Sequence, residues 1–253
     1  MKNHLIEKFK NKKAKIGVVG LGYVGLPFAV EKAKVGFTVI GIELNSEKVD
    51  MINNDRNYIS DVKDEDLSTV VNCGFLRAEN SFEIVKELDV IVIAVPTPLT
   101  KNLTPDISYI ESVTNEISKY LHKDMLICLE STTYPGTTEE IMQPILESTG
   151  LKVGDDFYLA HSPERVDPGN ARYTTKNTNK VVGGVGADSL EVAIEFYSQT
   201  IDTVVPVSSS RAAELVKVYE NTYRSVNIAL VNELTLLCDR MDLNVWEVLD
   251  AAF

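Results

Sequence analysis

Three glycines near the start of the chain have the residue type and spacing needed to bind a diphosphate. Gly20, Gly22 and Gly25 follow an apolar run that ends at Val19, and a segment with helical periodicity comes next. In such a turn the first glycine allows a tight bend, the second leaves space for the diphosphate, and the third lets the helix lie close to the sheet. The phosphate oxygens would accept hydrogen bonds from the free amides of a helix N-terminus.

An acidic residue follows the next apolar run. Glu43 comes directly after residues 37–42, eighteen positions beyond Gly25. A carboxylate at this position can accept hydrogen bonds from the ribose diol of NAD and would repel the 2′-phosphate of NADP. The glycines and Glu43 together predict an NAD site. The alternative is a strand–helix–strand unit that holds no nucleotide.

Three later apolar runs also end in polar side chains that could act on a ligand. Thr97 lies between two prolines after the first run, three adjacent hydroxyls at 131–133 follow the second, and Glu164 and Arg165 follow the third. In an open parallel sheet, ligands bind where the strands end, so these residues are candidates for one site. Alternatively, the Thr97 hydroxyl caps nearby backbone, and Glu164 and Arg165 form a surface ion pair.

Alternating strands and helices must position these residues. Residues 1–207 are interpreted as a Rossmann-type domain of the α/β class, with a doubly wound, mostly parallel sheet. Thr104 is expected to cap one helix, and Thr137 and Glu140 have the spacing of a capping box at the start of another.

A helical pattern without proline or glycine extends over residues 209–239. It predicts one long helix, which begins an all-α central domain over residues 208–253. Lys217, Asn221 and Arg224 are spaced four and three residues apart, so they project from one face of this helix. Such a polar stripe suits a wet cleft, although a solvated outer face would produce it as well.

Composition restricts the function. The 253 residues are 44% hydrophobic and carry a formal net charge of −12, which disfavours binding to nucleic acid. No stretch is apolar enough to span a membrane, and the N-terminus lacks a signal-peptide core, so we expect a cytoplasmic protein. Cys73, Cys128 and Cys238 lack the spacing of metal ligands, and we predict reduced thiols and no metal site.

Five segments in order resemble the nucleotide-sugar 6-dehydrogenases, the family of UDP-glucose and GDP-mannose dehydrogenases. The likeness extends from about Lys13 to Phe253 and is greatest to the members that oxidise UDP-N-acetylhexosamines. The family implies oxidation of the sugar C6 alcohol to an acid by two hydride transfers, each to an NAD. The segments that carry the likeness are GLGYVG at 20–25, VPTP at 95–98, ESTTYPG at 130–136, SPERVDPG at 162–169 and KVYEN at 217–221.

The resemblance implies roles for residues at matching positions. Lys217 and Asn221 would flank the reacting C6 and stabilise oxyanionic intermediates, with Lys217 also able to carry a proton. Glu164 would activate or position the water that releases the acid, and Thr132 would order that water. Cofactor contacts would come from Tyr23, Val24, Glu43, Thr97 and Thr132. The sugar-nucleotide site would be lined by Arg165, Val166 and Arg224.

One departure from the family pattern sets a limit on activity. Family members hold the aldehyde on a cysteine in a later Gly-Gly-His-Cys segment, followed by a nucleotide-binding domain, and neither occurs in these 253 residues. We therefore expect an N-terminal portion that binds NAD but does not convert substrate to acid. The long helix is expected to join two copies into a homodimer. Two alternatives remain: a β-hydroxyacid dehydrogenase that uses Lys217 as acid and base, and a non-catalytic NAD-binding or dimerisation module.

Overall fold

The structure is a computed structural model that describes residues 2–165 and 175–252. The chain forms two compact units, residues 1–215 and residues 216–253. The first unit extends past Val207 because the first turns of the long helix form hydrogen bonds with residues 136–139.

An eight-stranded sheet forms the centre of the first unit. The strand order is β3-β2-β1-β4-β5-β6-β7-β8, and all neighbouring pairs are parallel except β6 with β7. The predicted Rossmann-type, mostly parallel sheet is confirmed. The strands are β1 (Lys15–Val19), β2 (Thr38–Ile42), β3 (Leu76–Glu79), β4 (Val90–Ile93), β5 (Leu126–Leu129), β6 (Tyr158–His161), β7 (Lys180–Gly184) and β8 (Val204–Val207).

Helices pack on both faces of this sheet. A 3-10 helix, Phe82–Glu87, and a π-helix, Thr137–Met142, supplement them. The α-helices of the chain are α1 (Lys2–Lys10), α2 (Gly25–Lys34), α3 (Ser46–Asn53), α4 (Asp64–Asn72), α5 (Ser108–Ser118), α6 (Gln143–Glu147), α7 (Ala187–Ser198), α8 (Ser210–Arg240) and α9 (Val245–Ala252).

The core has two parts because successive strand residues point to opposite faces of the sheet. In β4, Val90 and Val92 belong to the cluster that includes Phe28 of α2 and Phe196 of α7. The alternate residues of β4 belong to the other cluster, together with Ile117 of α5. Burial on both faces explains why the central strands are continuous apolar runs.

Two predicted helix caps are wrong. The Thr104 hydroxyl pairs with the Thr100 hydroxyl at 2.7 Å, and α5 begins four residues later, where the Asp106 carboxylate accepts from the Ser108 amide. The Thr137 hydroxyl donates to the carbonyl of Tyr134 and does not form a capping box. In both cases the nearby chain offers a competing local partner for the threonine hydroxyl.

The second unit consists of the remainder of α8 and the short helix α9. Helix α8 runs without interruption from Ser210 to Arg240, which confirms the predicted long helix. The Asn244 side chain accepts a hydrogen bond from the amide of Trp246 at 3.0 Å and so caps α9.

Within the part of the chain that the structure describes, no helix is long and apolar enough to cross a membrane. Among those same residues, no group of three or more His, Cys, Asp or Glu side chains is arranged to hold a metal ion.

Candidate functional site

The predicted site residues of the first unit follow the carboxyl ends of neighbouring strands. Strand order reverses between β1 and β4, because the chain builds outward from β1 on one side and from β4 on the other. A crevice forms at such a switch point and is the usual ligand site of an open parallel sheet. The glycine turn follows β1, Glu43 follows β2, Thr97 follows β4 and Thr132 follows β5.

The glycine turn has the shape that diphosphate binding requires. Gly20 has a φ of +87°, which favours glycine, and a Cβ on Gly25 would lie 1.9 Å from the carbonyl oxygen of Gly20. A Cβ on Gly22, in contrast, would meet no atom within 4 Å. Packing within the protein thus explains Gly20 and Gly25, whereas the space at Gly22 fits an approaching diphosphate.

Glu43 lies directly against this turn. Its carboxylate accepts hydrogen bonds from the amide of Leu21 at 3.1 Å and from the amide of Asn45 at 3.0 Å. The Tyr58 hydroxyl donates to the carbonyl of Leu21 at 2.7 Å and fixes the other side of the same residue. The acid and the glycines that were predicted to act together are therefore adjacent. Tyr23, in the turn itself, is exposed, and Val24 is half-buried.

The structure separates the three hydroxyls that follow β5. Ser131 donates to the carbonyl of Val95 at 2.8 Å, and Thr133 pairs with Thr137 at 2.5 Å. Both are buried, whereas Thr132 between them is exposed. Of the three, Thr132 is accordingly the residue that can meet a ligand. Thr97, on the neighbouring loop, is half-buried.

Glu164 belongs to a buried group of charges. The Lys180 ammonium lies 3.1 Å from Oε2 of Glu164 and 3.1 Å from Oε2 of Glu130. The other oxygen of Glu164 accepts from the amide of Arg165 at 2.7 Å. The Arg165 guanidinium donates to the carbonyl of Asn179 at 2.9 Å. The Glu164 carboxylate therefore pairs with a buried lysine.

Burial sets the protonation of this group. It raises the pKa of Glu130, although the Lys180 ammonium opposes the shift. Burial alone would lower the pKa of Lys180, but attraction to Glu130 and Glu164 outweighs it and the pKa is raised. Burial, assisted by the Lys180 charge, lowers the pKa of His161 to about 3. His161 is therefore a neutral imidazole and Lys180 a cation near pH 7.

A buried carboxylate from the start of α8 fixes the loop that contains Thr132. Glu214 accepts hydrogen bonds from the amide of Gly136 at 2.5 Å, the amide of Thr138 at 2.9 Å and the Thr138 hydroxyl at 2.7 Å. Burial raises its pKa against the effect of these hydrogen bonds. Glu214 thus caps the π-helix, a role that the sequence had suggested for Thr137 and Glu140.

The remaining predicted residues are on the second unit or outside the described chain. Lys217, Asn221 and Arg224 lie on one face of α8, as their spacing predicts, with Lys217 half-buried and the other two exposed. Val166, which was predicted to line the sugar-nucleotide site, lies outside the described residues.

The three cysteines lie within the described chain, and two of them are buried. Cys128 in β5 is fully buried, and burial raises the pKa of its thiol to about 12. Cys238 in α8 is also buried, whereas Cys73 is exposed. A nucleophilic thiol needs a lowered pKa and access to substrate, so Cys128 is unsuited to that role.

The sequence matches two domains of one protein family. The NAD-binding domain of the UDP-glucose/GDP-mannose dehydrogenase family matches residues 14–201, and its central domain matches residues 211–253. The chain belongs to this family. Residues 14–201 therefore form an NAD-binding domain, as the glycine turn and Glu43 predicted. The match does not favour the alternative of a β-hydroxyacid dehydrogenase.

Relatives within the family carry related names. UDP-N-acetyl-D-mannosamine dehydrogenase of Pyrococcus horikoshii is 36% identical over 239 residues, which cover 94% of this chain and 57% of that protein. UDP-N-acetyl-D-glucosamine 6-dehydrogenase of Salmonella typhi is 35% identical over 95% of this chain and 56% of its own length. The chain thus spans a little over half the length of these relatives.

Solved structures agree with the fold. The UDP-D-ManNAc dehydrogenase of Pyrococcus horikoshii has a TM-score of 0.87 at 37% identity, over 94% of this chain and 57% of that one. A ternary complex of GDP-mannose dehydrogenase from Pseudomonas aeruginosa has a TM-score of 0.86 at 28% identity, over 93% and 56%.

Proposed function

We propose that this protein takes part in the NAD-dependent oxidation of a UDP-N-acetylhexosamine at C6, from alcohol to acid. The proposal is supported by the names of its relatives and by the site at the carboxyl ends of β1, β2, β4, β5 and β6. The observation that carries it is the open space at Gly22 beside the Glu43 carboxylate, within a domain of the NAD-binding family.

The glycine turn and the loops around it bind the cofactor in this proposal. Amides that follow Gly20 donate to the diphosphate, and Glu43 accepts from the ribose diol. Bound NAD supplies the hydride acceptor. Loop residues hold the remainder of the dinucleotide and orient the nicotinamide. The contacts come from Gly20, Gly22, Tyr23, Val24, Gly25, Glu43, Thr97 and Thr132.

Chemistry at C6 needs a proton acceptor, stabilisation of negative oxygen and an ordered water. We assign the first two to Lys217 and Asn221. The neutral amine of Lys217 accepts the proton, and the ammonium that results stabilises the oxyanion together with the Asn221 amide. Glu164 positions the water that releases the acid, and the exposed hydroxyl of Thr132 orders it. The sugar nucleotide is bound by Arg165, Val166 and Arg224.

The 253-residue chain, tested alone, is expected to bind NAD without completing the oxidation to the acid. Two of its three cysteines support this expectation, because Cys128 and Cys238 are buried and the pKa of Cys128 is raised. A buried thiol of high pKa cannot form a covalent adduct with an aldehyde at neutral pH.

A homodimer through the second unit is the proposed assembly. Large apolar side chains on α8 and α9 are exposed, among them Tyr219, Leu230 and Trp246, at 66%, 64% and 68%. Covering such side chains with a second copy of the same helices would remove apolar surface from water. Sedimentation of the chain tests this, and a monomer at micromolar concentration would contradict it.

Two measurements on the chain test the proposed function. NAD should raise the melting temperature, since a ligand at about 100 times its dissociation constant stabilises the folded state by roughly 2.7 kcal/mol. Sustained production of NADH should not occur when a UDP-N-acetylhexosamine is added. The absence of any thermal shift would refute the cofactor site. Sustained NADH production would refute the claim that turnover needs a nucleophile other than those of this chain.

A further inference from the structure

The reversed direction of β7 brings a lysine to the candidate site. Strand β7 runs antiparallel to β6, so that its first residue, Lys180, lies at the edge where β5 and β6 end. Glu130 follows β5 and Glu164 comes shortly after β6. In a parallel β7, position 180 would lie at the opposite edge of the sheet.

Lys180 links the two carboxylates across β6. Its ammonium donates a hydrogen bond to Oε2 of Glu164 at 3.1 Å and forms an ion pair with Oε2 of Glu130, also at 3.1 Å. The side chains of Lys180 and Glu130 are 4% and 0% exposed, and that of Glu164 is 13% exposed. The second oxygen of Glu130 accepts from the Tyr197 hydroxyl at 2.8 Å. Tyr197 of α7 thus holds the Glu130 carboxylate in place.

Stability does not account for such a group. Taking three charges out of water is costly, and replacing a buried ion pair with apolar side chains is often neutral or stabilising. The group also lies where the strands end at the candidate site, and perturbed ionisable groups concentrate at functional sites. Its least buried member is Glu164, which is the carboxylate with a proposed role.

We propose that Lys180 is a positioning residue that holds the Glu164 carboxylate ionised and oriented for the water-dependent step. Glu130 and Tyr197 hold Lys180 in turn. The inference rests on the proposed function, because that function gives Glu164 its water-positioning role. Within residues 2–165 and 175–252, titratable groups face Lys180 from β5, from β6, from the loops that follow these strands, and from α2 and α7. They are Glu130, Cys128, His161, Glu164, Lys32 and Tyr197.

Carbon-13 NMR of glutamate carboxyls tests this role directly. The protein is labelled at glutamate Cδ, and the Glu164 signal is assigned by its loss in Glu164→Gln. In Lys180→Met the Glu164 carboxyl should titrate about one pH unit or more higher, since an opposite charge at this distance normally favours the ionised form by that amount. Lys180→Arg keeps the positive charge and should return most of this shift.

A matched control is the surface pair of Lys152 and Glu147, which lie 2.9 Å apart with the lysine 59% exposed. Lys152→Met should leave the Glu164 titration unchanged. A folded Lys180→Met protein with an unchanged Glu164 titration would overturn the proposal, as would a Lys180→Arg protein that behaves like Lys180→Met.

A second measurement decides the matter if Lys180→Met does not fold. The nitrogen-15 signal of the Lys180 ammonium, assigned by its loss in Lys180→Arg, is followed with pH in the unaltered protein and in Glu164→Gln. It should shift as Glu164 titrates and lose that shift in Glu164→Gln. Identical behaviour in the two proteins would overturn the proposal.

Calorimetry with NAD on the same samples separates this inference from the proposed function. Lys180→Arg should bind NAD within about twofold of the unaltered protein. No binding to the unaltered protein would refute the proposed cofactor site, whereas NAD binding with an unresponsive Glu164 would refute only the role of Lys180.

Discussion

The space at Gly22 leads to a prediction that separates binding from folding. A Cβ at this position meets no protein atom within 4 Å, and the backbone is not in the left-handed region. Gly22→Ala should therefore leave the free energy of unfolding unchanged or raise it by about 0.5 kcal/mol, because alanine reduces the entropy of the unfolded chain.

NAD binding should respond quite differently. The added methyl group would occupy the space through which the diphosphate reaches the amides of the turn. Loss of one or two charge-assisted hydrogen bonds, at about 1.5–3 kcal/mol each, weakens binding by roughly 10-fold to more than 100-fold.

Gly25→Ala provides the contrast within the same turn. Its Cβ would lie 1.9 Å from the carbonyl oxygen of Gly20, a backbone atom that no side-chain rotation can move away. This variant should lose about 3 kcal/mol of stability. Urea denaturation measures the stability of each variant, and titration calorimetry measures its affinity for NAD. A Gly22→Ala protein that binds NAD within twofold of the unaltered protein would refute this account of the turn.

Three further predictions concern buried ionisable groups of the first unit. His161→Gln should reduce the loss of stability between about pH 7 and pH 4.5 by roughly 2–3 kcal/mol. The unfolded histidine binds a proton below its usual pKa, whereas the folded one, with a pKa of about 3, does not. Equal pH profiles in urea denaturation would contradict this. Lys32→Met should flatten the rise in stability as the pH approaches the ordinary lysine pKa of about 10.4. Burial lowers the pKa of Lys32 well below that value, so the unfolded state binds the extra proton. A rise of equal slope in both proteins would count against it. Glu214→Ala should lower the free energy of unfolding by about 2–4 kcal/mol, because it leaves amides without an acceptor. Glu140→Ala, which removes an exposed ion pair with Arg211, should lower it by less than about 1 kcal/mol. Similar losses in thermal denaturation would argue against the capping role.

The parts of the site that the sequence predicted are those set by local chain geometry. A strand, a glycine turn and a helix follow one another within 15–34, and the acid that ends β2 is adjacent because β2 pairs directly with β1. These relations are short-range and repeat in a regular pattern, so residue type and spacing were sufficient to place Gly20, Gly22, Gly25 and Glu43 together.

The parts that the sequence did not predict depend on distant partners. Glu214 binds the amide of Gly136 from 78 positions away, and a nearby Glu140 with capping-box spacing obscured it. Lys180 is at the candidate site only because β7 runs antiparallel to β6, and no local pattern gives the direction of a strand. The sequence showed three adjacent hydroxyls after β5 but not that two of them are buried.

Titration calorimetry of the 253-residue chain with NAD and with NADP tests the central claim most directly. The glycine turn and the Glu43 carboxylate beside it predict saturable binding of NAD and an affinity for NADP at least about 10-fold weaker, because the carboxylate repels a 2′-phosphate. No heat with NAD, or equal affinity for the two dinucleotides, would contradict the claim.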